Sequence, residues 1–314
     1  MGGARPAGDG LEPGVRDGHH PPMLAAPHHP SEGGGDLSSA RNVLSVANFN
    51  MHAGVDGWGR PFDVVAVCAA FDVDVLVLEE AWTTDTEGLG SGQAEQIAAA
   101  LGYQVTTCAL AEGRRPLPLP TTSDRWRPRL GFRVDRRSLY LGSVRPLSAA
   151  ELASPRYQQG EPGSWGIAIL TRGDVPVEGA RVVHLPPLPR DRVRRAAIVV
   201  ELTKEGVPLS VVGAHMSHLQ YGSHRHYAAL RDLLRTEARP DAVLLGDMNL
   251  WGPPVRAFLP EWHRAVKGRT WPAWHPHSQI DHILVRGALR VCSGEVLPAV
   301  GSDHRPVRAE LALR

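Results

Sequence analysis

Short apolar runs rich in valine, isoleucine and leucine recur through this chain, and most of them stop at a polar residue able to do chemistry. Val43-Leu44-Ser45-Val46-Ala47 is followed by Asn50, and Val73 to Leu78 by Glu80. Leu209 to Ala214 runs into His215, and Ala242 to Leu245 into Gly246-Asp247-Met248-Asn249. Asp281 and His282 lie in the run Ile280 to Val285, read as the penultimate strand, and Ser302-Asp303-His304 precedes Pro306 to Leu311. Gly166 to Leu170 and Ala196 to Leu202 are further runs of the same kind. Runs this short, set between turn signals, read as buried strands. Helical spacing falls between them. Val64, Val65, Val67, Cys68 and Phe71 share a face, and Gln93 to Leu101 stops at Gly102. Ser223 is placed to cap a helix reaching Ala238, with Tyr227, Leu230, Leu233 and Leu234 on one side. Such alternation specifies an α/β domain, and α/β sheets gather their ligands at strand ends.

The chain of 314 residues is long enough for one large α/β domain or two smaller ones. Residues 1–40 stand apart: they hold 9 Gly and 6 Pro, and few apolar residues. Such a segment cannot bury enough surface to offset its ordering entropy, so a disordered head (1–40) and a folded domain (41–314) are expected. His19-His20 and His28-His29 in the head read as incidental. The three Cys are sparse and odd in number, which excludes a disulfide framework or a Cys-rich zinc module. No apolar run approaches a membrane span, no signal-peptide core is present, and Pro6 spoils a myristoylation pattern after Gly2. A monomeric, cytoplasmic protein without membrane contact is the expectation. The net charge of +1 excludes a polycation. Locally, however, Thr107 to Arg145 holds nine Arg against three acids, an excess of +6 that fits either a solvated loop or a wall contacting phosphates.

The strand-end residues form an oxygen-rich set of Glu, Asp and Asn, which suits Mg²⁺ or Mn²⁺ better than zinc. Two histidines, each with a carboxylate candidate, suit acid–base work. Each signal alone is weak: a Gly-Asp-x-Asn is often a turn, and a lone His is more often structural than catalytic. The ordered series of six at successive strand ends outweighs those readings.

In its motifs the chain from Arg41 to Arg314 resembles the endonuclease/exonuclease/phosphatase superfamily, the group of deoxyribonuclease I and exonuclease III. The matching segments begin with Ala47 to Gly54, Val77 to Trp82, Gly166 to Leu170 and Gly213 to His218. They continue with Leu245 to Asn249, Thr270-Trp271-Pro272-Ala273, Ser278 to Val285 and Gly301 to Val307. The resemblance implies a four-layer α/β/β/α sandwich of two packed mixed sheets with the site at one edge. It also implies metal-dependent cleavage of a phosphate ester. By the same resemblance Glu80 is the main metal ligand, with Asn50 and Asp303 on the metal side. Asp247 and Asn249 position water and phosphate, His304 is the acid–base or phosphate-binding histidine oriented by Asp281, and His215 sits near the leaving oxygen. Two departures stand out: Glu79 replaces the family's frequent Gln, and Ile167 its frequent Asn.

Nucleic acid is the leading substrate, with a small-molecule or lipid phosphodiester as the alternative. The inositol-phosphatase branch fits poorly, because Asp281-His282-Ile283-Leu284 lies several residues beyond Pro272-Ala273-Trp274 and has His for Arg. A secreted sphingomyelinase would need an export signal. The arginine-rich stretch and Arg190, Arg192, Arg194 and Arg195 could track a phosphate backbone, and Trp82, Trp251, Trp271 and Trp274 lie near motifs, where exposed rings would stack on bases. For Trp82 a bracing role is the better reading. An inactive binding module of the same fold is the reading from another class, and the intact acidic and histidine set argues against it. A calcineurin-like site would need Gly-Asp-x-His and Gly-His-x-His, and the chain has neither.

Overall fold

The computed structural model describes residues 42–57, 59–84, 92–115, 145–146, 150, 161–188, 191, 193–219 and 222–314. The expected head and residues 116–144 of the arginine-rich stretch lie outside the described residues. Two mixed sheets form the domain. The seven-stranded sheet runs, in spatial order, β12 (Arg290–Val296), β13 (Val307–Ala312), β1 (Val43–Asn50), β2 (Val75–Thr84), β5 (Glu161–Arg172), β3 (Tyr103–Arg115) and β4 (Arg145–Pro146). The six-stranded sheet runs β10 (His263–Arg264), β11 (Asp281–Arg286), β9 (Ala242–Asp247), β8 (Val207–Ala214), β7 (Ala196–Lys204) and β6 (Val177–His184). The pairs β1–β2 and β8–β9 are parallel, and the remaining pairs are antiparallel.

Strand alternation builds the layers. In β2, Val75 and Val77 point into the space between the sheets, while Leu76 and Leu78 point outward. The inward set meets Ile198, Val211, Leu245 and Ile283 of the other sheet. The outward set is covered by α1 (Val64–Ala69) and α2 (Gln93–Leu101). On the far side, α3 (Ser223–Thr236) and α4 (Gly252–Phe258) cover Val199, Val212, Leu244 and Leu284. The result is the expected α/β/β/α order. Central strands buried on both faces explain why the sequence shows near-continuous apolar runs. At roughly 1.5–3 kcal/mol per fully buried large side chain, this burial is the dominant cohesive term.

Some boundaries differ from the sequence reading. Ser223 is not the cap of α3 but its first residue; Gly222, at φ +90°, precedes it without a side-chain capping bond, and the helix ends at Thr236 rather than Ala238. Five strands have no counterpart in the sequence reading, and two of them, β4 and β10, are only two residues long. β6 and β12 are edge strands whose burial is partial or alternating, and β3 lies next to the short edge strand β4. Their apolar signal is diluted by exposed positions. Because β12 intervenes, the strand carrying Asp281 and His282 is third from the end, not penultimate. No described helix is long and apolar enough to cross a membrane.

Candidate active site

Strand pairing brings the site residues to one place: Asn50, Asp247 and Asp281 stand at strand ends, whereas Glu80 lies inside β2, which runs on to Thr84. In register, Asn50 at the end of β1 lies beside Glu79 of β2, and Asp247 at the end of β9 lies beside Asp281 at the start of β11. The glycine of Gly-Asp-x-Asn makes the approach of β8 and β9 possible. A Cβ on Gly246 would stand 1.8 Å from the Ala214 carbonyl oxygen, so only glycine lets Asp247 come up against His215. In β2 the register against β5 slips between Glu79 and Ala81, and Glu80 takes the extra position with φ +50°. The bulge separates two adjacent acids. Glu79 is fully buried, whereas the Glu80 side chain keeps 21% of its exposure at the site.

The side chains converge. Asn50 Nδ2 donates to Asp247 Oδ2 (3.1 Å) and, more loosely, to Glu80 Oε1 (3.5 Å). Asp247 Oδ1 accepts the backbone N–H of Asn249 (2.8 Å), and the Asn249 side chain donates to the Met216 carbonyl (2.9 Å). His304 Nδ1 is 3.0 Å from both oxygens of Asp281. Its Nε2 is thereby turned inward, 3.8 Å from Asp247 Oδ2 and 4.0 Å from Asp303 Oδ1. His215 Nε2 is 3.7 Å from Asp247 Oδ2 and 4.0 Å from Glu80 Oε1. Ser302 Oγ donates to the Asn50 carbonyl (2.7 Å) and accepts from the His304 backbone (3.1 Å), pinning the Ser302-Asp303-His304 turn to the end of β1. Thus all eight residues singled out from the sequence fall at one end of the sandwich.

The charges are out of balance. Burial, then the neighbouring Asp281 carboxylate, push Asp247 up to about 7. Burial and the charges of Asp281 and Asp247 drive Glu79 well above the usual carboxylate range. For His304, burial favours the neutral ring, but Asp281 and Asp303 outweigh it and raise the imidazole well above its ordinary value. His215 moves the other way: burial, then the positive charge of Arg195, hold it well below that value. Asp303 stays low despite burial because His52, His304 and the Trp271 N–H favour its anion. The ion-pair partners of Glu80, Asp247, Asp281 and Asp303 are histidines. A surplus of negative charge on oxygen donors is what a divalent cation neutralises, so the residues fit Mg²⁺ or Mn²⁺. Asp247, Asp281 and His304 also place ligand atoms within 4.8 Å of one another. Both Asp281 oxygens already face His304, however, which suits a proton relay better than a metal nest.

Other expectations sort by exposure. His282 is buried, with Nε2 donating to the Leu250 carbonyl (2.9 Å), on the side of the strand away from Asp281. Trp82 is buried and braces the interior, and Ile167 packs between the sheets. Arg195 cannot track a backbone: it is buried, bound to Asp191 (3.1 Å) and to the His215 carbonyl (3.3 Å). Arg190 and Arg192 lie outside the described residues. Two contacts at the site have no counterpart in the sequence reading, which gives Trp271 as a ring that could stack on bases. His52 Nδ1 is 3.6 Å from Asp303 Oδ1, and Trp271 Nε1 donates to Asp303 Oδ2 (3.2 Å). Both sit inside segments that had been quoted as motifs, but nothing in their spacing tied them to Asp303.

Comparison with known proteins agrees with this fold. Among solved structures, an endonuclease/exonuclease/phosphatase from Beutenbergia cavernae is 22% identical, with a TM-score of 0.57 over 87% of this chain and 72% of its own. The human Nocturnin catalytic domain with bound sulfate is 16% identical, with a TM-score of 0.56 over 87% of this chain and 94% of its own. A mannosyl-6-phosphatase from Bacteroides thetaiotaomicron is 16% identical, with a TM-score of 0.54 over 86% of this chain and all of its own. No curated protein matches the sequence. The model of the Endonuclease/Exonuclease/phosphatase family matches residues 47–304, and the chain belongs to that family of phosphoester hydrolases.

Proposed function

We propose that the protein is a Mg²⁺- or Mn²⁺-dependent phosphodiesterase, with DNA or RNA as substrate. The observation that carries this reading is the convergence of Glu80, Asn50 and Asp247 with the Asp281–His304 pair at one strand-end surface. Glu80, Asn50 and Asp303 would hold the cation, which when bound supplies Lewis-acid stabilisation of the phosphoryl charge. Glu80 and Asp303 are the more open carboxylates, at 21% and 17% side-chain exposure, against 3% and 1% for Asp247 and Asp281.

The chain's own groups divide the remaining work. Asp247, with a proton affinity near neutrality, takes a proton from the attacking water or holds that water in line. Asn249, fixed by Asp247 and Met216, helps to orient the phosphate. Asp281 fixes the Nδ1–H tautomer of His304 and favours its cation, so that Nε2 presents a charged donor to a phosphoryl oxygen. His215, held neutral, faces the same space from β8 and can serve the leaving oxygen.

For the polymer, support comes from exposed aromatic rings close in sequence to the site. Trp251, two residues past Asn249, is 51% exposed, and Trp274, just past Trp271, is 47% exposed. Flat rings at such positions stack on unpaired bases, worth roughly 1–3 kcal/mol each. The test is hydrolysis of plasmid, single-stranded DNA, RNA and a bis-aryl phosphate with Mg²⁺ or Mn²⁺. Replacing Arg125, Arg127 and Arg129 by Ala should weaken nucleic-acid binding and flatten its salt dependence, yet spare the aryl ester. Salt-independent binding, or equal damage to both substrates, would favour a small-molecule or lipid phosphodiesterase.

A further inference from the structure

We infer that Trp271 is a positioning residue for this site: its indole N–H fixes the Asp303 carboxylate without cancelling its charge. The inference rests on the reading above that Asp303 stands on the metal side.

Several contacts meet at Asp303. Trp271 Nε1 donates to Oδ2 at 3.2 Å. On the other oxygen, His52 Nδ1 is 3.6 Å away, His304 Nε2 4.0 Å and Ser302 Oγ 3.5 Å. The Ser302 hydroxyl already gives its hydrogen to the Asn50 carbonyl at 2.7 Å. Of these side-chain contacts the indole's is the shortest. The main chain reinforces it: Ala273 N donates to the Asp303 carbonyl (2.7 Å), Arg305 N to the Thr270 carbonyl (2.9 Å), and Arg305 Nε to the Ala273 carbonyl (2.9 Å).

The same segment reaches the relay pair. Thr270 is fully buried, and its Oγ1 accepts the backbone N–H groups of Ile280 (3.2 Å) and Asp281 (3.3 Å). Thr270-Trp271-Pro272-Ala273 therefore ties the backbone of one site carboxylate to the side chain of another. The donor is itself held. The Trp271 backbone pairs with Ser278, N to O at 3.0 Å in both directions, and its ring meets His277 edge-on at 5.3 Å and 88°.

The choice of donor has a chemical logic. An indole N–H only donates and carries no charge. A lysine or arginine here would neutralise the carboxylate, and a hydroxyl could turn to accept instead. The indole leaves Asp303 anionic and aimed, as a cation ligand must be. Donors behind a metal-side carboxylate typically alter metal affinity by 10–100-fold.

The experiment compares wild type with Trp271→Phe, which keeps an aromatic ring but deletes the N–H. Mn²⁺ affinity is read by electron paramagnetic resonance of the free ion, and kcat and KM with bis(4-nitrophenyl) phosphate. Trp271→Phe should weaken Mn²⁺ binding roughly tenfold or more, leave KM for the ester nearly unchanged, and regain most of kcat at saturating Mn²⁺. In an Asp303→Ala background the same change should add nothing. Unchanged Mn²⁺ affinity in a folded Trp271→Phe protein, or a full further loss in the Asp303→Ala background, would overturn the inference alone. A wild-type protein that neither binds Mn²⁺ nor cleaves the ester would overturn the underlying metal reading with it. Should Trp271→Phe not fold, the assigned Trp271 indole resonance of wild type decides. Asp303→Ala should move it more than any other of the eight indoles, and an unmoved signal refutes the contact.

Discussion

Asp74 and Asp247 are buried aspartates at opposite ends of one sandwich, and they live under opposite rules. Asp74, just before β2, accepts the Ser45 backbone N–H (2.8 Å), the Ser45 hydroxyl (2.8 Å) and the Lys204 ammonium (3.0 Å). Burial would raise its pKa, but Ser45 and Lys204 together hold it below the ordinary value. Asp247 has amide donors but no cationic Lys or Arg in the contacts described, stands beside further carboxylates, and is pushed up to about 7. Positive φ occurs at both ends: Asp72 and Glu205 take it beside Asp74 and Lys204. At the Asp247 end His52, Ala53, Glu80 and Asn249 take positive φ, Glu80 in mid-strand. At one end the buried aspartate is satisfied by the protein's own donors and a lysine. The other crowds carboxylates whose ion-pair partners are histidines, the environment that the proposed cation and substrate would complete.

The sharpest way to break that contrast is to disable the relay. His304→Ala should cut kcat by about 10²–10⁴-fold, the usual yield of positioned acid–base groups. Asp281→Asn should cost less, because the ring remains while its orientation and charge lose support. The double variant should be little worse than His304→Ala, since groups acting as a unit are not additive. Additive losses would show that Asp281 does not work through His304.

The same substitution at the two ends should have opposite signs. Asp247 has a folded pKa raised to about 7, above an unfolded value near 3.9. Its contribution is therefore present at low pH and is lost as pH rises through about 7. In EDTA at pH 8, Asp247→Asn should raise unfolding stability by about 1–2 kcal/mol while hydrolysis collapses. Asp74→Asn should lower stability by about 1–2 kcal/mol through the lost Lys204 pair, with activity per folded molecule unchanged. Denaturant titration checks both, and a destabilising Asp247→Asn would erase the contrast.

A smaller effect belongs to His282. Burial depresses its folded pKa from 6.5 to about 4. Its contribution is present above about 6.5 and is lost as pH falls toward about 4, worth up to about 3 kcal/mol at 1.36 kcal/mol per pKa unit. His282→Gln keeps a donor for the Leu250 carbonyl, so it should flatten the acid limb of the stability curve without the kcat loss of His304→Ala. An acid limb unchanged in this variant would contradict the assignment.

The sequence exposed the site better than the sheet edges, and for a physical reason. Central strands buried on both faces leave continuous apolar runs, so Asn50, Glu80, His215, Asp247 and Asp303 could be seen standing at their ends. β6 and β12 face solvent at their sheet edges, and the periodic signal that would have announced them is weak. The Glu80 bulge is not visible in the residue pattern, where only the family resemblance separates Glu80 from Glu79. The sequence does not separate Arg195 from its neighbours, because an arginine within a cluster reads alike whether it faces water or, like Arg195, is sealed against Asp191. Trp271 is legible as a motif member and a possible stacking ring, and His52 as a motif member, but their contacts with Asp303 span the fold rather than the sequence.

The central claim is that the carboxylate-crowded end of the sandwich is completed by a divalent cation on Glu80 and there cleaves phosphodiesters. It is tested most directly by titrating Mn²⁺ into metal-free wild type and Glu80→Gln while following bis(4-nitrophenyl) phosphate hydrolysis and Mn²⁺ binding together. Wild type should be silent in EDTA and gain activity in step with bound Mn²⁺. Glu80→Gln, which removes the anionic ligand but little volume, should keep the fold and lose both. Full activity in EDTA, or a Glu80→Gln protein that binds Mn²⁺ and turns over like wild type, would contradict the account.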